Sequence, residues 1–199
     1  MLDGKKLLIF DCDGVLFNSR NANIAYFNKC LEIAGYSPLA PGDEEKTVYM
    51  SVQQMLGELF SDPDEIERLF RISQNLKYDQ FLPYLNPIFN FNKVFSSLRK
   101  KYFLAMASNR AKSLTRIFLH FGLFEHFQFK ISALEANPKP DPEMLLKCID
   151  YFDLKKEECV YIGDSDSDMQ AAANAGIDFI RVAEGEGDAV IASVEELAT

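Results

Sequence analysis

The chain has 199 residues, 48% of them hydrophobic and 26% charged, which excludes a disordered or fibrous protein and fits one globular domain, or one domain carrying a sizeable insert. With 21 basic against 30 acidic residues the net charge is −9, and the densest basic run, Arg99-Lys100-Lys101, is too short to neutralise a nucleic-acid backbone. No apolar run nears the roughly 18 residues that span a bilayer. The expectation is therefore a protein with no membrane anchor, no secretion signal and no nucleic-acid partner. Four scattered cysteines, Cys12, Cys30, Cys148 and Cys159, form no C-x-x-C pair and point to a reduced, cytoplasmic protein.

Short apolar runs at 6–10, 102–107, 127–131, 159–162, 179–182 and 189–192 show little alternation and predict strands buried on both faces. Amphipathic stretches at 91–101, 112–121, 142–152 and 166–175 predict helices between them. Strand alternating with helix predicts an α/β fold with a doubly wound, Rossmann-like parallel sheet. From 18 to 87 only helical patterns occur. A helix over 21–34 carries Ile24, Phe27, Leu31 and Ala34 on one stripe and stops at Gly35. Helices around 51–60 and 63–81 follow, the latter begun by Asp62 as N-cap with Pro63 in the first helical position. The expected organisation is a core of 1–17 with 88–199 and a helical cap of 18–87. An insert of this length, leaving directly after the first strand, is expected to stand above that strand's carboxyl end, where open α/β sheets bind ligands, and to act as a lid. The segment 184–188 reads as a small acidic, glycine-containing loop.

The chemistry is concentrated where these strands end. Phe10-Asp11-Cys12-Asp13-Gly14 closes the first strand with two acids and a glycine that lets the chain turn. An isolated D-x-D-G is most often a solvated turn. A second group, Gly163-Asp164-Ser165-Asp166-Ser167-Asp168, ends the 159–162 strand and opens a small-residue helix on which Asp164 and Asp168, four apart, face one point while Asp166 faces elsewhere. Acids at a helix start also complement its dipole, with Ser165 or Asp166 as cap. Two acid pairs at one sheet edge repel unless a cation joins them, and hard oxygen donors suit Mg²⁺. Ser108-Asn109-Arg110 follows the 102–107 strand as a helix cap or an anion-binding corner. Lys139 lies between Pro138 and Pro140, which hold its backbone and make it a candidate for neutralising a phosphate.

Asp11 with Asp13, Ser108, Lys139, and Asp164 with Asp168, in this order, resemble the four motifs of the haloacid dehalogenase superfamily of phosphohydrolases. The branch most similar is that of phosphoglycolate phosphatase and β-phosphoglucomutase, and the likeness covers nearly the whole chain, cap included. The resemblance implies that Asp11 is a nucleophile forming an aspartyl-phosphate and that Asp13 is the general acid and then the general base. It implies that Ser108, the amide of Asn109 and Lys139 bind the phosphoryl group. It also implies that Mg²⁺ sits on Asp11, the Asp13 backbone carbonyl and Asp164, with Asp168 as ligand or support.

The implied partner is a small-molecule phosphate ester. The implied function is a Mg²⁺-dependent phosphatase; a β-phosphoglucomutase-like mutase and a non-catalytic binding protein on the same fold are the alternatives. The cap should read the rest of the substrate, with Arg20 as first candidate among Asn18, Asn21, Asn23, Lys46 and Tyr49. Arg110 is expected as a solvated residue at a helix start, ahead of a role in binding a second anion.

Overall fold

The computed structural model describes residues 1–48, 50–183 and 189–198. Tyr49 and the loop 184–188, both singled out above, lie outside the described residues. The chain forms two compact units, one of Met1–Asn18 and Pro87–Thr199, the other of Ser19–Asn86.

The first unit is built on a parallel six-stranded sheet. Its strands are β1 (Leu7–Phe10), β2 (Phe103–Ser108), β3 (Phe129–Ser132), β4 (Cys159–Gly163), β5 (Asp178–Val182) and β6 (Val190–Ile191). Their order, β3-β2-β1-β4-β5-β6, makes β1 the central strand and places the reversal of winding between β1 and β4. All four β1 residues are fully buried, because helices cover both faces of a parallel sheet. Leu7 and Ile9 pack with Ala105, Met144, Leu145 and Tyr161 on one face. Phe10 points to the other, edge-on to Phe95 and Phe127 with ring centroids 5.6 and 5.9 Å away.

The second unit is helical: α1 (Arg20–Ala34), α2 (Pro41–Glu44), α3 (Val52–Leu59) and α4 (Pro63–Asn75). Gly35 ends α1 at φ +87°, in the left-handed conformation glycine tolerates, with its N–H donating to Leu31 and Glu32 carbonyls. Asp62 caps α4 by accepting from the Asp64 N–H at 3.1 Å, and Pro63 fills the first turn. Phe27, Leu31, Met55, Leu56 and Leu69 form this unit's own core.

The 63–81 helix expected from periodicity is shorter. The chain leaves α4 at Leu76, which is extended, and continues as a 3₁₀ turn over Tyr78–Tyr84. That break lets Tyr78 and Phe81 pack against Tyr26, at 6.3 and 5.4 Å, a tertiary gain that local propensity does not register.

The first unit also carries α5 (Phe91–Leu98), α6 (Lys112–His120), α7 (Glu143–Tyr151) and α8 (Asp166–Ala175). Among the described residues no helix is long and apolar enough to cross a membrane.

Candidate active site

The site residues gather at the carboxyl ends of β1, β2 and β4, around the point where the winding reverses. Asp11 prolongs β1: its N–H donates to the Ile162 carbonyl on β4 at 2.9 Å, which keeps it in the sheet's register. Cys12, fully buried, turns into the interior between the two acids. The chain then closes a tight loop, with the N–H groups of Leu16 and Phe17 both donating to the Cys12 carbonyl and that of Gly14 to the Phe17 carbonyl. Gly14 adopts φ +70°, and a Cβ there would lie 1.9 Å from Asp164 Oδ2. Glycine is what lets this loop lie against the carboxylate that follows β4.

Lys139 enters from 128 residues away and is almost wholly buried. Its ammonium donates to Asp11 Oδ1 at 2.7 Å, to Asp168 Oδ1 at 2.6 Å and to Tyr161 Oη at 2.7 Å, which uses all three of its protons. Its backbone is held from both sides by the Asn109 amide, which accepts from the Lys139 N–H at 2.7 Å and donates to the Lys139 carbonyl at 3.0 Å. The peptide between Lys139 and Pro140 is cis. The side chain of Asn109 is therefore a bracket for Lys139.

Asp168, expected as a metal ligand or a support, is engaged here by four hydrogen-bond donors, the arrangement of a support. Oδ1 accepts from Lys139 and from the Tyr161 hydroxyl at 2.8 Å, and Oδ2 accepts from the Ser165 hydroxyl at 2.6 Å and the Ser165 N–H at 3.1 Å. Four donors fill a carboxylate's four lone-pair sites. Ser165 completes a capping box at the start of α8 by accepting from the Asp168 N–H. Asp166 turns away and pairs with Arg181 at 2.5 Å.

Ser108 ends β2 fully buried, and its hydroxyl accepts from the Arg110 N–H at 3.2 Å. It does not cap α6, whose N-cap is Ala111, because Asn109 and Arg110 are drawn into the site before the helix begins. Arg110 is not a solvated helix-start residue. Its Nε and Nη2 donate to Asp13 Oδ2 and Oδ1, each at 2.7 Å, as a two-point fork.

Burial is the largest force on the site's charges. It raises the Asp11 carboxyl to about 8, with Asp168 and Asp13 adding to the rise and Lys139 opposing it. It raises Asp164 to about 6, helped by Asp168 and Asp13. Burial acts on Asp168 in the same sense, but Lys139 and the bonds from Ser165 and Tyr161 overcome it and hold that carboxyl below its ordinary value. Burial opposes the charge on Lys139, and Asp11 and Asp168 outweigh it, so the ammonium is held above its ordinary range.

One lysine thus serves several buried acids, and the charge deficit falls on Asp11 and Asp164. Carboxylate oxygens of Asp11, Asp164 and Asp168 lie within 4.8 Å of one another. Asp11 and Asp164 are the pair whose protonation a hard divalent cation would displace, and the donor set fits one.

Several elements of this site, the Asn109 bracket among them, are not visible in the sequence pattern. Tyr161 sits inside an apolar strand run and reads as core, yet its hydroxyl joins Lys139 to Asp168. The fork from Arg110 to Asp13 links residues 97 apart. In the helical unit, the Arg20 guanidinium, partly exposed, lies 2.6 Å from Glu45 and 3.5 Å from Glu44. Lys46 likewise pairs with Glu58 and Asp43.

A pyrophosphatase PpaX of Halalkalibacterium halodurans is 26% identical over 176 residues, covering 85% of this chain and 80% of its own. A phosphoglycolate phosphatase of Aquifex aeolicus is 24% identical over 174 residues, covering 86% and 81%. The crystal structure of a HAD-superfamily hydrolase, subfamily IA, from Geobacter sulfurreducens superposes with a TM-score of 0.83 at 27% identity, covering 98% of this chain and 95% of that one. The profile of the haloacid dehalogenase-like hydrolases matches residues 8–182, and the chain belongs to that family.

Proposed function

We propose that the protein is a Mg²⁺-dependent phosphatase of small soluble phosphate monoesters that works through a phosphorylated Asp11. The observation that carries this reading is the state of Asp11: a buried carboxylate at the end of the central strand, held by Lys139 on one oxygen and facing Asp164 across an acid-lined site. Rigid placement and charge neutralisation are what phosphoryl transfer asks of a protein.

In this reading an Asp11 oxygen forms a bond to phosphorus as the ester oxygen leaves, and Asp13 gives the leaving oxygen its proton. Asp13 then takes a proton from water as water attacks phosphorus. The bond to Asp11 breaks and phosphate departs. Ser108 and the backbone amide of Asn109 hold phosphoryl oxygens. Lys139, with its three protons already directed at Asp11, Asp168 and Tyr161, acts by fixing Asp11 and by its charge. Mg²⁺, held by Asp11, Asp164 and the Asp13 backbone carbonyl, would neutralise the phosphoryl oxygens. Asp168 supports Lys139 and the Ser165 loop.

The substrate range follows the relatives' names, phosphoglycolate phosphatase and pyrophosphatase, both of which denote small phosphate compounds. Four buried, unpaired cysteines are in keeping with a reducing cytoplasm. The test is phosphate release from a panel containing p-nitrophenyl phosphate, phosphoglycolate and sugar phosphates, with Mg²⁺ or with excess chelator. Release that chelator abolishes supports the reading; a folded protein that releases phosphate from none of them refutes it.

A further inference from the structure

Arg110 occupies a position that the reaction outlined above leaves unexplained. Its side chain is 10% exposed while that of Asp13 is 34% exposed, so the cation is largely withdrawn from water and the acid it holds borders solvent. Its root is fixed beside the phosphoryl pocket, because its N–H donates to Ser108 Oγ and its Nη1 lies 3.4 Å from Ser113 Oγ. Both Asp13 oxygens face the guanidinium. In that position Asp13 is turned to Arg110 rather than to a leaving oxygen.

We infer that Arg110 is a latch on Asp13 and the reader of a second anionic group on the substrate: a carboxylate or second phosphate takes over the guanidinium and releases Asp13 toward the ester oxygen. The inference rests on the phosphatase reading for the role of Asp13. A planar guanidinium edge matches a carboxylate or phosphate as well as it matches an aspartate, so the exchange needs no movement of the arginine. One anion replaces another, and the withdrawn cation is never left without a counter-charge. An ester with an uncharged tail offers no group to take the place of Asp13 in the fork. The device selects for doubly anionic substrates in a protein whose net charge would otherwise disfavour them.

The probes are 3-phosphonopropionate and 3-phosphonopropionamide, which differ by one negative charge and cannot be hydrolysed, titrated calorimetrically into the full chain with Mg²⁺. The wild type should bind the carboxylate at least about tenfold more tightly, and Arg110→Gln should bring that ratio to about one, as expected for loss of a charge-assisted two-point contact. Asp13→Ala removes the competitor for the guanidinium and should tighten binding of 3-phosphonopropionate. A wild-type ratio near one, a ratio unchanged in Arg110→Gln, or weaker binding by Asp13→Ala overturns the inference. A protein that shows the preference and its loss but hydrolyses no ester overturns the phosphatase reading and leaves Arg110 as an anion reader. One that hydrolyses esters without the preference overturns the reader alone.

Discussion

Gly14 lies so close to Asp164 that a methyl group on its Cα would sit 1.9 Å from the Asp164 carboxylate oxygen. The loop after β1 and the loop after β4 are therefore packed backbone against side chain. The two acids proposed to share a cation, Asp11 and Asp164, are set by that contact as well as by the sheet. Gly14→Ala has to displace Asp164 and also adopt φ +70°, which costs an alanine about 1–2 kcal/mol. The variant should remain folded, lose about that much stability in urea denaturation, and bind Mg²⁺ more weakly by calorimetric titration. Unchanged metal affinity would separate Asp164 from the cation.

Asp11→Asn keeps the shape of the side chain and removes its nucleophile. Phosphate release should fall by about three orders of magnitude or more, while circular dichroism and melting stay near wild type. Substantial residual turnover would take the nucleophilic role away from Asp11.

Tyr161→Phe removes the hydroxyl that accepts from Lys139 and donates to Asp168. Two buried polar groups then lose a partner, so stability should drop by about 1–3 kcal/mol. Lys139 becomes less firmly placed against Asp11, and kcat should fall more than KM rises. A loss of stability with kcat untouched would make Tyr161 a packing residue.

Burial raises Asp164 to about 6 and Asp11 to about 8, so the folded, metal-free protein holds protons there that the unfolded chain has released. These two groups make stability fall as pH rises from about 4 to 8, and a bound divalent cation removes that loss by favouring the ionised carboxylates. The gain in melting temperature from Mg²⁺ should accordingly grow from pH 5 to pH 8, and Asp164→Asn should flatten the growth. A Mg²⁺ effect independent of pH would show that these carboxylates do not bind it.

The sheet and the acids were legible because the signals are local. Residues 7–10 form an unbroken apolar run, the pattern of a strand buried on both faces, and the two acid groups stand where such runs stop. Gly35 and Asp62-Pro63 mark helix ends through backbone conformations that depend on one or two residues. What escaped depends on distance in the chain. The Arg110 fork joins residues 97 apart, the Asn109 bracket joins residues 30 apart, and Tyr161 reads as core until Lys139 is known to reach it. The break after α4 is of the same kind, decided by the packing of Tyr78 and Phe81 on Tyr26 rather than by its own residues.

The phosphorylated Asp11 is open to direct observation. The protein is mixed with p-nitrophenyl phosphate and Mg²⁺, quenched in acid during turnover, reduced with borohydride and analysed by peptide mass spectrometry. An acyl phosphate at position 11 is reduced to homoserine, and this conversion, confined to position 11 and absent without substrate, is the predicted result. Phosphate release with Asp11 unmodified throughout turnover would contradict it.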